Sequence, residues 1–235
     1  MPFRSLTLKE LAKMIGADSR RLERLAQRGE IPCQKVGGQF RFNRAEITQW
    51  LKQYMGTFHD DHLKEVDVSM TAHRQTHPTQ RIIAPLIHTQ AVSHCLKARS
   101  KNGAIRSLIS LAEATGLVYD SDALLESVLH REELCTTAME GGIAIPHPRC
   151  PLPYEIADTI LVVARAQHGI LFGAPDGPTR LFFFTASQDD THHLHVLARI
   201  CRLLRHDNLL ENLIHADSTQ HMIDLITDCE ANFTK

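Results

Sequence analysis

The chain has 235 residues, of which 43% are hydrophobic and 23% charged, a balance that excludes a disordered or fibrous chain and fits one large globular domain or two small ones. Its formal charge of −1 hides an asymmetry: residues 1–56 carry eleven Lys or Arg against five Asp or Glu, a balance of +6, while the remainder carries 15 against 22, a balance of −7. No apolar run approaches the roughly 18 residues that cross a bilayer, the first ten residues lack a secretory core, and the six cysteines form no CxxC pair, so a cytoplasmic protein with reduced thiols and no membrane contact is expected.

Three short helices and a hairpin are predicted first. Thr7 and Glu10 have capping-box spacing, Leu8, Leu11, Ala12 and Ile15 recur at helical intervals, and Gly16 stops the helix. Asp18 or Ser19 caps a second helix, with Leu22, Leu25 and Ala26 as its apolar stripe, that runs to about Arg28. Two β-prone runs flank Gly37-Gly38, a hairpin signal. Asn43 then caps a third helix whose inner face is Ile47, Trp50, Leu51 and Tyr54.

Residues 57–83 are polar, His-rich and weakly periodic, which predicts a linker carrying at most a short helix around His62–Val68. Its histidines, His59 and His62 among them, read as solvated. From residue 84 to 235 helices are expected at Gly103–Ala114, Asp122–Arg131, His192–Arg205 and Ser218–Asp228, with strands at Gly142–Pro146, Thr159–Ala166 and Thr179–Thr185. The expected fold is α+β in two domains: a small winged helix-turn-helix over residues 1–56, and after the linker an α/β sandwich with a mixed central sheet flanked by helices.

The basic excess lies on the second helix, which carries Arg20, Arg21, Arg24 and Arg28. A guanidinium fork can take phosphate oxygens or the O6/N7 edge of guanine with two hydrogen bonds. Lys35 and Arg41 flank the hairpin tip, within reach of a sugar-phosphate backbone. Gly16, Ser19, Arg20, Arg24, Leu25, Gly29, Ile31, Pro32, Lys35, Val36, Gly37, Gly38, Arg41 and Phe42 stand in the order typical of the excisionase-like branch of the MerR-type helix-turn-helix superfamily, which residues 5–54 resemble. That resemblance implies that the Arg20–Arg28 helix enters the major groove of DNA and that the Gly37-Gly38 wing lies on the backbone.

Chemistry concentrates in GGIAIPHPR, residues 141–149. Pro146 and Pro148 fix the backbone on either side of His147, which holds one imidazole rigidly at the end of a β-run. A neutral imidazole is a good phosphoryl acceptor near pH 7, and Arg149 lies close enough in sequence to help neutralise a transferred phosphate. The segment HREELCTTAMEGGIAIPHPR resembles the active-site stretch of phosphotransferase-system enzyme IIA domains of the fructose, mannitol and nitrogen-regulatory type, through Arg131, Glu132, Thr137, Gly142, Ile143, Ala144, Ile145, Pro146 and His147. A second mark of that family, a T-H-L-H-like helix start, is matched by Thr191, His192, His193, Leu194 and His195, with His193 at the position of the second active-site histidine.

The resemblance, over roughly residues 84–230, implies phosphorylation of His147 by an HPr-type phosphocarrier protein. His193 then holds the phosphate or the reacting ring, Arg131 supplies charge, and Thr137 supplies a hydroxyl donor. No cofactor is implied. No metal is expected either, because His192, His193 and His195 cannot all face one direction from a helix. Two positions depart from the family pattern: Glu140 stands where a small residue is usual, and Gly141 where Asn or Ser is usual. A DNA reader joined to a phosphate acceptor predicts a regulator of the phosphotransferase system, with nitrogen regulation among its themes. It leaves room for a homodimer. Two alternatives stay open: a phosphocarrier enzyme IIA that passes phosphate to a sugar transporter, and an unphosphorylated interaction scaffold.

Overall fold

The computed structural model describes residues 5–73, 80–206 and 208–233. In the N-terminal part a short strand β1 (Ser5–Thr7) precedes α1 (Leu8–Ile15) and α2 (Ser19–Arg28); the hairpin β2 (Gln34–Val36) and β3 (Gln39–Asn43) then leads into α3 (Arg44–Tyr54). The capping box forms as its spacing predicts: Thr7 Oγ1 accepts from the Glu10 amide at 3.2 Å, and Glu10 Oε2 accepts from the Thr7 amide at 2.8 Å. Asp18 and Asn43 cap α2 and α3 in the same way. Strand β1, which the sequence does not signal, pairs antiparallel with β3 and makes the hairpin a three-stranded wing.

Two faces of α3 are buried. Ile47 and Leu51 are fully enclosed, as their spacing predicts, but Tyr54 is 42% exposed and Trp50 is only partly covered. The next face round the helix is buried instead, at Thr48 and Lys52, because α3 is packed against the C-terminal half of the chain. Trp50 keeps its indole N–H bonded to the Glu30 carbonyl at 2.9 Å.

The expected linker is largely a helix. After a 3-10 turn at Met55–Thr57, α4 runs from Asp60 to His73, longer than the short helix expected there; residues 74–79 of the linker lie outside the described residues. Helix α4 is clamped from both sides. On the N-terminal side, Ser69 donates to the last carbonyls of α1, Lys13 and Met14, at 3.0 Å. Gly16, at φ +71, lets the two backbones meet, since a Cβ there would stand 2.4 Å from the Glu65 oxygen. On the other side, the buried Asp67 carboxylate takes Arg199 Nε at 3.1 Å, Arg199 Nη2 at 3.0 Å, His195 Nε2 at 3.0 Å and Arg202 Nη1.

The C-terminal half begins with β4 (Ile87–Leu96) and the helices α5 (Lys101–Glu113) and α6 (Ser121–Leu134). Short strands β5 (Ala138–Met139) and β6 (Ile143–Ala144) precede the long hairpin β7 (Ile160–Ala174) and β8 (Gly177–Ala186), and α7 (Asp190–Leu203), α8 (Leu209–His215) and α9 (Thr219–Phe233) close the fold. The sheet order is β4-β7-β8-β6-β5, with β4 parallel to β7 and β6 parallel to β8, so the sheet is mixed. Strict alternation splits it. Ile160, Val162, Ala164, Phe182 and Phe184 face α5 and α6, whereas Leu161, Val163, Leu181 and Phe183 face α7–α9. The second of these cores does not stop at α9: it is continuous with Leu11, Ile15, Leu22, Phe42, Ile47 and Leu51, so the N-terminal module shares one apolar core with the helices that cover the sheet.

Removing one partner of a buried ion pair leaves the others uncompensated, typically at a cost of about 3–5 kcal/mol. Asp67→Ala, which takes the shared carboxylate from Arg199, Arg202 and His195, is therefore expected to lower the unfolding free energy by about that amount in urea titration. Burial alone would raise the Asp67 pKa, but the His195 hydrogen bond and the Arg199 charge carry it below the usual carboxylate range. The carboxylate thus contributes its full stability above that range, begins to lose it as the pH falls into the range, and has lost it once the pH is below the lowered value.

Candidate functional site

His147 sits just beyond the end of β6. The chain on either side of it is held by backbone: the Ile145 amide donates to the Thr137 carbonyl at 3.1 Å, and the Pro146 carbonyl accepts from the Thr185 amide of β8 at 3.1 Å. The two prolines leave the imidazole no neighbouring donor on either side. Its Nδ1 lies 2.8 Å from the Ile145 carbonyl oxygen. That oxygen only accepts, so Nδ1 carries the proton and the lone pair resides on Nε2. Nε2 is buried and has no partner among the described residues, and the ring borders a cavity of about 620 Å³.

Helix α7 supplies the second ring. Asp189 caps its first turn by accepting from the His192 amide at 2.8 Å. His193, in that turn, places its ring centroid 5.0 Å from that of His147 at an interplanar angle of 52°. His192 turns away, to the Thr159 hydroxyl at 3.0 Å, and His195 turns to Asp67, so the three histidines of α7 point to different partners, as helix geometry requires.

Arg131 and Thr137 line the same cavity. Arg131 is buried and its Nη1 donates to the Cys135 carbonyl at 2.8 Å, which anchors the guanidinium. The expected role of Thr137 as a hydroxyl donor needs adjustment: its Oγ1 donates to Glu132 Oε2 at 2.6 Å, so in this state its proton is committed to a carboxylate that Lys101 also pairs at 3.1 Å. Arg149 has an exposed side chain outside the cavity, and what it contributes is its carbonyl oxygen. Glu140, exposed, stands at the cavity rim. Gly141 and Gly142 have φ of +85 and +70, a left-handed pair that a glycine at the departing position accommodates without strain.

Sequence reasoning missed Lys52. Its side chain is 1% exposed, and its Nζ donates to the Arg149 carbonyl at 3.0 Å and pairs with Asp190 Oδ1 at 2.8 Å. Neighbouring Gln49 also donates to the Arg149 carbonyl, at 2.9 Å. Nothing within residues 43–56 marks this lysine as different from a solvated one; only the docking of α3 buries it.

Burial, followed by the Arg131 charge, pushes His147 down to about 3, against the upward pull of the Ile145 hydrogen bond and with a further downward push from Lys52. His193 is held well below the ordinary histidine range by burial, then by His147 and Lys52. Both rings are neutral at physiological pH. The site is therefore a buried pair of neutral rings with a free imidazole nitrogen beside fixed positive charge, an arrangement that can receive an anionic group on nitrogen.

In the N-terminal module, Arg20, Arg24 and Arg28 are exposed along the outer face of α2. Arg21 is separated from them: its Nη2 is 2.6 Å from His62 Nδ1 and its Nη1 3.6 Å from Glu65, so α4 claims it, and His62 is not simply solvated. Lys35 lies over the Phe40 ring at 5.8 Å, and Arg41 bonds Gln39 at 3.3 Å, both in the wing.

The family model described as "Phosphoenolpyruvate-dependent sugar phosphotransferase system, EIIA 2" matches residues 85–229, and a helix-turn-helix domain model matches residues 5–55. The PTS system fructose-specific EIIA component of Haloferax volcanii is 35% identical over 134 residues, 55% of this chain and 84% of that relative. The nitrogen regulatory protein of Bradyrhizobium diazoefficiens is 36% identical over 135 residues, 56% of this chain and 85% of the relative. In fold, the crystal structure of nitrogen regulatory protein IIA-Ntr from Neisseria meningitidis gives a TM-score of 0.56 at 21% identity, covering 62% of this chain and 99% of that one. This chain belongs to the phosphotransferase-system EIIA 2 family and carries a helix-turn-helix domain on its N-terminal side. Among the described residues no helix is long and apolar enough to cross a membrane.

A ring that the fold keeps neutral below its ordinary value of 6.5 takes up a proton only on unfolding. The His147 contribution to stability is thus complete above pH 6.5 and is lost as the pH falls from there toward about 3. The ring resonances of His147 are expected to stay constant in NMR titration between about pH 5 and 7. In His147→Gln the decline of unfolding free energy with acid is expected to be shallower over the same window.

Proposed function

We propose that this chain is a DNA-binding regulator controlled by phosphorylation of His147, with an HPr-type phosphocarrier protein as the donor. The observation that carries the reading is the unpartnered, buried Nε2 of His147, with Nδ1 already committed to a backbone carbonyl and with Arg131 and Lys52 on the same cavity. In the transfer, the His147 Nε2 lone pair forms a bond to phosphorus as the P–N bond to the carrier's histidine breaks. The electron pair of that bond leaves with the carrier's imidazole, which takes a proton from water, while His147 Nδ1 keeps its own. The product carries about −1.5 to −2 charges, which the Arg131 guanidinium is placed to offset.

Membership of the EIIA 2 family supports a phosphocarrier or regulatory role, and the helix-turn-helix match favours regulation. Arg20, Arg24 and Arg28, free of partners among the described residues or, for Arg28, only loosely paired with Glu30 at 3.8 Å, are the residues proposed to meet DNA. Lys35 and Arg41 are proposed to meet the backbone from the wing. Arg21, engaged by α4, is not assigned a DNA contact.

Incubation with a radiolabelled phosphocarrier mix is expected to label the wild-type chain and to leave His147→Ala unlabelled; equal labelling of both would defeat the assignment. On the DNA side, Arg24→Ala is expected to weaken binding across sequences and to lower the salt slope of log K by about 1 if the contact is to phosphate. A slope and affinity unchanged from wild type would remove α2 from the interface.

A further inference from the structure

Resting on that reading of His147, we infer that Lys52, a residue of the DNA-reading module, is a ligand of the phosphoryl group on His147, so that the modification holds α3 to the domain that receives it. The lysine is buried at the site, not beside it: its side chain is 1% exposed and it lines the cavity with His147 and Arg131. An ammonium has three donors. One is taken by the Arg149 carbonyl at 3.0 Å; Asp190 Oδ1, 2.8 Å away, is an ion-pair partner outside hydrogen-bond geometry, and no acceptor among the described residues takes another.

Burying that charge is not needed to fasten α3. Gln49 already ties the same helix to the same Arg149 carbonyl at 2.9 Å, and an uncharged side chain of similar length would fill the space without the desolvation cost of an ion. The partner the lysine has is a carboxylate shared with solvent: the Asp190 side chain is 46% exposed, although the Oδ1 that faces Nζ is itself buried and makes no hydrogen bond. A phosphoryl group on Nε2 supplies a dianion on the cavity side of the ammonium. Lys52 then joins Arg131 in opposing it, and the ion pair with Asp190 becomes the contact that lengthens. Because Ile47 and Leu51 of the same helix are packed into the core of the N-terminal module, a hold on Lys52 is a hold on the reader as a whole. The downward push of Lys52 on both His147 and His193 accords with that geometry.

The test is the phosphoryl-transfer equilibrium between a phosphorylated carrier and the full chain, with amide hydrogen exchange of α3 as a second readout. Lys52→Gln and Lys52→Met are compared with Lys52→Arg, which keeps the charge, and with Gln49→Ala, which removes a tie to Arg149 but no cation. In the charge-removing variants the equilibrium is expected to shift toward the carrier by about tenfold, the loss of one charge-assisted hydrogen bond. Lys52→Arg should recover most of it, and Gln49→Ala should leave it unchanged. Phosphorylation should slow α3 exchange in wild type but not in Lys52→Gln. Labelled His147 with the same equilibrium in Lys52→Gln, Lys52→Met and wild type would overturn the role of Lys52 and leave His147 as acceptor. A matching loss in Gln49→Ala would reduce the lysine to a packing residue and overturn it also. Absence of label from all the variants and from wild type would bring down both readings. Should Lys52→Gln fail to fold, Lys52→Met keeps the aliphatic stem and carries the comparison.

Discussion

The arrangement depends on one buried carboxylate. Asp67, midway along α4, is held by two arginines and a histidine of α7, and α7 is also the helix whose first turn carries His193. The same α4 closes on the end of α1 through Ser69 and on Gly16 through its backbone. A polypeptide that reads as a solvated connector is thereby made into a strut between the helix-turn-helix module and the EIIA-family domain. The position of α3 over His147 follows from that strut: with α4 fixed at both ends, the third helix of the module has only one place to go.

The chemistry of the site follows from the burial of His147. A surface histidine near neutral pH is divided between protonation states, whereas His147 is neutral with its proton on a defined nitrogen, because Ile145 accepts from Nδ1 and burial opposes a second proton. The positive charges that oppose protonation of the ring are the ones that favour an incoming anion. In the proposed transfer one electrostatic field therefore serves both states: it keeps the ring neutral beforehand and opposes the phosphoryl charge afterwards. The Glu132 carboxylate does not spoil this field, since Lys101 and the amide and hydroxyl of Thr137 satisfy it on the far side.

Much of this was readable from local pattern. Capping pairs such as Thr7 with Glu10, the glycine stops, the Gly37-Gly38 turn and the proline-framed His147 all act within a few residues, and each has a physical meaning that needs no partner. What escaped was long-range. β4 ends the sheet and mixes polar with apolar positions, so neither period dominates in it. α4 shows little periodicity because its buried face includes Asp67, Ser69 and Thr71, residues that look solvated until Arg199, Lys13 and His195 are brought to them. Lys52 is the same case at the site. Of the active-site residues the resemblance implies, His147, Arg131 and Thr137 line one cavity and His193 lies against the His147 ring, whereas Arg149, expected from its place in the sequence, contributes a carbonyl oxygen where a guanidinium was expected.

The shared apolar core bears on how such a chain could have been assembled. Regulators are often pictured as beads exchanged freely between lineages, each with its own sealed interior. Here Leu11, Phe42 and Leu51 belong to the same interior as Val196 and Ile226, so the join is a fused surface and not a tether. Transplanting this reader onto another acceptor domain would import a greasy underside matched to one set of helices. The two halves must therefore change together or not at all, and a substitution on either side of the seam is constrained by its opposite number across it.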